Sequence, residues 1–256
     1  MHNNTMYVVP TDSPIEIREV KKVNLKGGTV IDGFPSVGLA NAIASECFVH
    51  SLTTELVAVL DSPGFPSLSI IQNGTPNFPA RIYANEELKL AIFVSELNFD
   101  QSMYRPIAKT ILRWAIEKEC ELVISAAGLP DDENQEEDDT KTTEPVVYAT
   151  ASTKKAVQKF TRAGIEQLSS GSVTGIPALL LNEGTWLKKD VIVLLVKVLK
   201  DAPDFRAAAV VSQSVSKLVP GASCDIVSLL KEAELVEKRL RRIKIEQPKT
   251  NLGLYG

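Results

Sequence analysis

Six residues, GFPSVG at 33–38, stand where an apolar, strand-like run gives way to a helical pattern, which is the usual setting of a phosphate-binding loop. They do not spell G-x-G-x-x-G, and Leu39 and Ala40 occupy the places where a Walker A loop needs lysine and serine or threonine. Ser36 is not set as a nucleophile either, since the stretch misses G-x-S-x-G by one residue. What remains is a helix start whose open amides can hold an anion by geometry alone. Without a confirming lysine the preferred reading is a structural turn. Two histidines are present, His2 near the start and His50 at the end of a helical pattern, where a cation suits the helix dipole. Neither is spaced for a Ser–His or Cys–His pair, and no segment gathers the His, Cys and carboxylate ligands of a zinc site. No catalytic residue, cofactor or metal is therefore assigned. The other glycine-rich stretch, GSVTGIPALLLNEG at 171–184, reads as a tight entry at Gly175 to a short apolar helix with Pro177 in its first turn. Its glycines lack the partners of a phosphate loop and read as sites of close backbone packing.

The chain closes on Leu254, Tyr255 and Gly256, after the charged segment EKRLRRIKIEQPKT. Chain ends are usually polar and idle. An apolar anchor, an aromatic ring with a polar tip and a fixed carboxylate instead make a compact plug for a pocket on another protein.

Short β-branched runs bounded by Gly, Pro, Asp or Asn supply the frame: 16–20, 29–34, 55–60, 68–71, 81–84, 88–95, 121–128, 146–151 and 191–199 are expected strands, several apolar on both faces and hence central. Helical patterns fall between them, at 37–50, 103–119, 152–164, 203–219 and 225–243. Ser152 is the expected cap of the third and Gly164 its stop. Asp225 is the expected cap of the last, which carries Ile226, Leu229, Leu230, Ala233, Val236, Leu240 and Ile243 on one stripe. Strands interleaved with helices imply a sheet covered on both faces. The junction between 81–84 and 88–95 resembles a hairpin, so the sheet should be mixed. The expectation is an α/β fold, a single three-layer α/β/α domain over 1–245 with C-terminal helices, followed by a flexible tail over 246–256. The segment 131–144 holds eight acidic residues against one lysine and is expected to be a mobile, solvated insertion.

A net charge of -4 argues against general affinity for nucleic acid or anionic membrane. The basic run KRLRRIK at 238–244 sits where a helix end favours cations and has no aromatic interleaving. The longest apolar run, 191–199, is too short to span a bilayer and contains Lys197, and the first residues do not form a secretory signal. Cys47, Cys120 and Cys224 have no metal-ligand or redox spacing and read as structural thiols in a reducing compartment, which places the protein in the cytoplasm.

Taken in order, GFPSVGLANAIA, SPGFPSLSIIQNGTPNFPARIYA, GSVTGIPALLLNEG, PDFRAAAVVSQSVSKL and DIVSLLKEAELVEKRLRRI resemble the archaeal branch of the proteasome assembly chaperone 2 family, across residues 27 to 243. The resemblance implies a phosphorylase-like three-layer fold, homo-oligomerisation and no established catalysis, in a chaperone or activator of the proteasome core particle. It also gives Leu254-Tyr255-Gly256 a meaning: a hydrophobic–tyrosine–any-residue ending, the proteasome-binding element that enters a pocket between α-ring subunits. The alternative is an enzyme of the nucleoside phosphorylase or hydrolase type, using the 33–38 turn for a small anionic substrate.

Overall fold

The computed structural model describes residues 14–130, 145–198 and 202–231. In chain order these form β1 (Glu16–Glu19), β2 (Thr29–Gly33), α1 (Ala40–Ser51), β3 (Glu55–Asp61), β4 (Ile70–Gln72), β5 (Thr75–Asn77), β6 (Ala80–Asn85) and β7 (Leu90–Ser95). There follow α2 (Gln101–Glu117), β8 (Leu122–Pro130), β9 (Val147–Ala151), α3 (Lys154–Arg162), β10 (Glu166–Gln167), α4 (Gly175–Leu187), β11 (Asp190–Val198) and α5 (Phe205–Leu218). Nine strands make one sheet in the order β1-β3-β6-β7-β2-β8-β11-β9-β10, and β4 and β5 form a separate hairpin.

The sheet is mixed for the reason the sequence suggested. β6 and β7 are joined by a tight turn, Asn85 pairing with Leu90, so they run antiparallel, whereas β2 lies parallel to both β7 and β8. β11 is parallel to β8 and antiparallel to β9. Strands β2 and β7 are buried at every position, as central strands covered on both faces must be.

Side chains one step apart along a strand enter opposite cores. Val30, Phe93, Val123 and Val193 pack under α2 and α4, against Ile107, Ile111, Trp114 and Leu180. Ile31, Ile92, Ile124 and Leu194 face the other way, against Phe48 of α1, Phe160 of α3 and Val211 of α5. The result is three layers, α/β/α.

Several local expectations shift. The run 68–71 becomes β4, outside the main sheet, and the short strands β5 and β10 carry no alternating pattern that could announce them. The cap of α3 is Thr153, whose side chain accepts from the amide of Ala156, not Ser152. The hydroxyl of Ser152 instead donates to the carbonyl of Lys189 and accepts from the amide of Val191, tying β9 to β11. Gly164 does stop that helix, at φ +73°. Asp225 does cap a helical segment, over 226–231, accepting from the amide of Ser228 at 3.1 Å. The rest of the 225–243 pattern, the acidic segment 131–144, the basic run 238–244 and the tail 246–256 lie outside the described residues.

The cysteine reading needs correction. Cys47 and Cys224 are joined by a disulfide with a Cα–Cα distance of 5.6 Å, and Cys120 alone is free and buried. The pairing was invisible because the partners are 177 residues apart; only the packing of α1 beside the stretch after α5 brings them together. Burial pushes the Cys120 thiol up to about 11.

Candidate functional site

The turn at 33–38 is packed at Gly33, Phe34 and Gly38, while Pro35 and Ser36 are half-buried and Val37 is exposed. Asp32, the residue before it, is fully buried; its carboxylate accepts from the Ser125 hydroxyl at 2.7 Å and from the amide of Phe34 at 3.0 Å. Asn41, one residue into α1, donates to the carbonyl of Phe34 and accepts from the amide of Ala126, so one side chain ties the turn, the helix and β8 together. A Cβ on Gly33 would meet the Phe93 carbonyl at 2.3 Å, and one on Gly128 would meet the Val37 carbonyl at 2.2 Å. Glycine at both places lets the backbones touch. The chain then passes through left-handed conformations at Gly38 (φ 70°) and Leu39 (φ 55°), and the Gly38 carbonyl accepts from the amide of Asp204. The Ser36 hydroxyl is buried and has no hydrogen-bond partner among the described residues. This is a clamp that fixes α1 on the sheet, and among the described residues no acid or base stands within hydrogen-bond distance of the Ser36 hydroxyl.

Beside the clamp lies a groove of about 790 Å³ that no sequence motif announced. Pro35 and Leu39 of the turn form one end, and Ile43, Glu46, Cys47 and His50 of α1 one wall. Ser95, the last residue of β7, and Glu96 and Asn98 beyond it contribute the floor, Phe205 the start of α5, and Asp225, Ser228 and Leu229 the opposite lip. The i, i+3/i+4 spacing of Ile43, Glu46, Cys47 and His50 puts them on the face of α1 turned from the core.

The floor rests on a buried cation. Arg81 is 2% exposed, yet its guanidinium pairs with Glu96, donates to the Phe78 carbonyl at 3.2 Å and stands 3.8 Å from Glu46. The ring of Tyr83 lies 5.9 Å away, within cation–π range. Two carboxylates thus share one guanidinium. Burial, and then the neighbouring Glu96, push Glu46 above the usual carboxylate range against the pull of Arg81 and His50. His50 faces Glu46 at 3.6 Å from an exposed position. The groove has apolar walls and a carboxylate excess. Cys47 is tied in its disulfide and His50 faces an acid. The Glu46/His50 spacing was the one sequence signal that could have drawn attention to it.

The second glycine stretch behaves as read. Gly175 opens α4 at φ +74°, and a Cβ on Gly184 would meet a Val191 methyl at 2.5 Å, so α4 sits tight on β11. Among the described residues no cluster of His, Cys, Asp and Glu could hold a metal, and no helix is long and apolar enough to cross a membrane. Leu254, Tyr255 and Gly256 lie outside the described residues.

Layer order, strand order and the packed glycine turn define a three-layer α/β/α protein built around a mixed nine-stranded sheet. Residues 30–244 match the model of the PAC2 family, and the chain belongs to that family. It is similar, at 24% identity over 225 residues, to an uncharacterized protein of Methanocaldococcus jannaschii, covering 88% of this chain and 89% of the relative. The crystal structure of PbaA from Pyrococcus furiosus, an archaeal homolog of proteasome-assembly chaperone, matches with a TM-score of 0.78 at 29% identity, over 91% of this chain and 92% of that one. PbaB of the same organism, an archaeal proteasome activator, shares the fold with a TM-score of 0.76 at 22% identity, over 91% of this chain and 99% of its own.

Proposed function

We propose that this chain is a non-enzymatic proteasome assembly chaperone or activator, which docks on the α ring of the core particle through Leu254, Tyr255 and Gly256. The observation that carries the reading is membership of the PAC2 family over 30–244, joined to a likeness to PbaA that covers nine-tenths of both chains. Gly33 packed on the Phe93 backbone and Phe34 held by Asn41 favour a structural role for the start of the 33–38 turn over the phosphorylase-like alternative.

In this reading the carboxylate of Gly256 pairs with a lysine in an inter-subunit pocket, a charge-assisted contact. Tyr255 lays its ring on the pocket wall and its hydroxyl on a backbone group. Leu254 buries its side chain for about 1.5–3 kcal/mol. One tail is weak, because ordering it offsets much of that gain. A homo-oligomer presenting several tails to a ring gains by effective concentration. Reach suffices, since the stretch from Gln247 to Tyr255 extends to about 30 Å at full rise. The cytoplasm, with the core particle, is the proposed compartment.

A pull-down of core particle and of free ring subunits, using full-length protein, a variant lacking 254–256 and Tyr255→Ala, tests the proposal. Loss of association in both variants, with the fold intact by circular dichroism, is the expected result. Equal capture by the clipped protein overturns it.

A further inference from the structure

The Cys47–Cys224 bridge occupies a particular place. Cys47 lines the groove on the outer face of α1, and Cys224 stands where the stretch after α5 turns into the helical segment 226–231. Both are half-buried, unlike Cys120, which is shut in the core. Among the described residues, little else holds the chain down beyond Cys224. The amide of Asp225 donates to the Ser51 hydroxyl at 3.1 Å, Leu229 is buried and Ile226 half-buried. Val227 and Leu230 face solvent, and the bonds from Ser228 to Asp225 stay within the segment. Among the described residues, one bond to the body, the buried Leu229 and the half-buried Ile226 are small against the entropy of ordering residues 225–231.

We infer that Cys47–Cys224 is a thiol–disulfide exchange site, a clasp that a dithiol reductant opens from the groove to free the segment 224–231 from α1. The attacking thiolate enters by the groove that Cys47 lines, reaches the Cys47 Sγ and forms a mixed disulfide with it. The Cys224 sulfur leaves as thiolate and takes up a proton. The reductant's second thiol then attacks its own sulfur in the mixed disulfide and releases Cys47 as a thiol. Two electrons and two protons pass from the dithiol, which becomes a disulfide, to the two cysteines. The Ser51 hydroxyl, 3.8 Å from the Cys47 Sγ, is placed to hydrogen-bond the thiolate that forms. Leu229 and Asp225 form the far lip of the groove, so opening the clasp also removes that wall. The inference makes no assumption about what the tail binds.

The full chain, purified without reductant, is labelled with iodoacetamide before and after dithiothreitol and mapped by peptide mass spectrometry, in parallel with hydrogen exchange. Before reduction no native thiol is labelled, and denaturant exposes Cys120 alone. After reduction Cys47 and Cys224 are labelled in the native protein while Cys120 stays protected. Exchange across 222–231 accelerates at least tenfold, and exchange in α5 and β11 does not change. Cys47→Ser/Cys224→Ser exchanges fast with or without dithiol, and Cys120→Ser follows the unaltered protein. Three labelled thiols before reduction, a bridge that resists native dithiol, or unchanged exchange across 222–231 after reduction each overturn the inference.

Discussion

Replacing Asp32 with asparagine should change the pH dependence of stability by a predictable amount. Asp32 lies at the end of β2 with no exposed surface, and two hydrogen bonds, from Ser125 and Phe34, favour its charged form. Burial outweighs them and pushes the carboxyl from 3.8 up to about 6. The folded chain therefore holds this proton more tightly than the unfolded one. The sign follows: the stabilisation that Asp32 gives as an acid is complete below about pH 4, is lost as pH rises to about 6, and is gone above. Two pH units at about 1.4 kcal/mol each amount to about 3 kcal/mol. Asparagine keeps the shape and the acceptor for the Phe34 amide, and its own amide can donate to Ser125 once that hydroxyl turns round. Urea unfolding of Asp32→Asn and the unaltered protein at pH 4, 5.5 and 7 isolates the effect, because the other carboxylates cancel in the difference. The gap between the two should move in favour of Asp32→Asn by about 2–3 kcal/mol from pH 4 to pH 7. A gap that stays constant across that range refutes the account of Asp32 as a proton-binding core residue.

Gly128→Ala drives a methyl into the Val37 carbonyl and the Val198 side chain; it should cost about 1–3 kcal/mol and lower Tm in calorimetry. Arg81→Met leaves Glu46 and Glu96 facing each other without their cation. The cost at pH 7 should be about 3–5 kcal/mol and should shrink towards pH 4 as the carboxyls take up protons, which denaturant melts at the two pH values check. Thr153→Ala removes the cap of α3 and should cost about 1 kcal/mol by the same assay, while Ser152→Ala acts instead through the β9–β11 tie.

The central strands were legible because they are apolar on both faces and punctuated by Gly, Pro and Asp; β2, β7 and β11 needed no tertiary information. The hairpin of β6 and β7, and with it the mixed sheet, could be read from the three residues, 85–87, between two apolar runs. β5 and β10 could not, since three and two residues are too few to show a period and their place comes from neighbours. Thr153 displaced Ser152 as cap because β11 captures the Ser152 hydroxyl, a competition that exists only once β9 and β11 are side by side. The groove was hidden for the same reason: its residues come from α1, the end of β7, α5 and the stretch at 225–229. The sequence pointed to Leu254–Gly256, and the geometry adds a groove that the sequence did not announce.

The two margins of the sheet are built unlike its middle. β1 reads EIRE, with Arg18 bridging Glu16 and Asp61, and β10 is a polar stub of two residues. A border this charged on one side and this brief on the other is a poor template for another strand. Copies of this molecule that meet are turned away from zipping sheet to sheet into an open-ended ribbon.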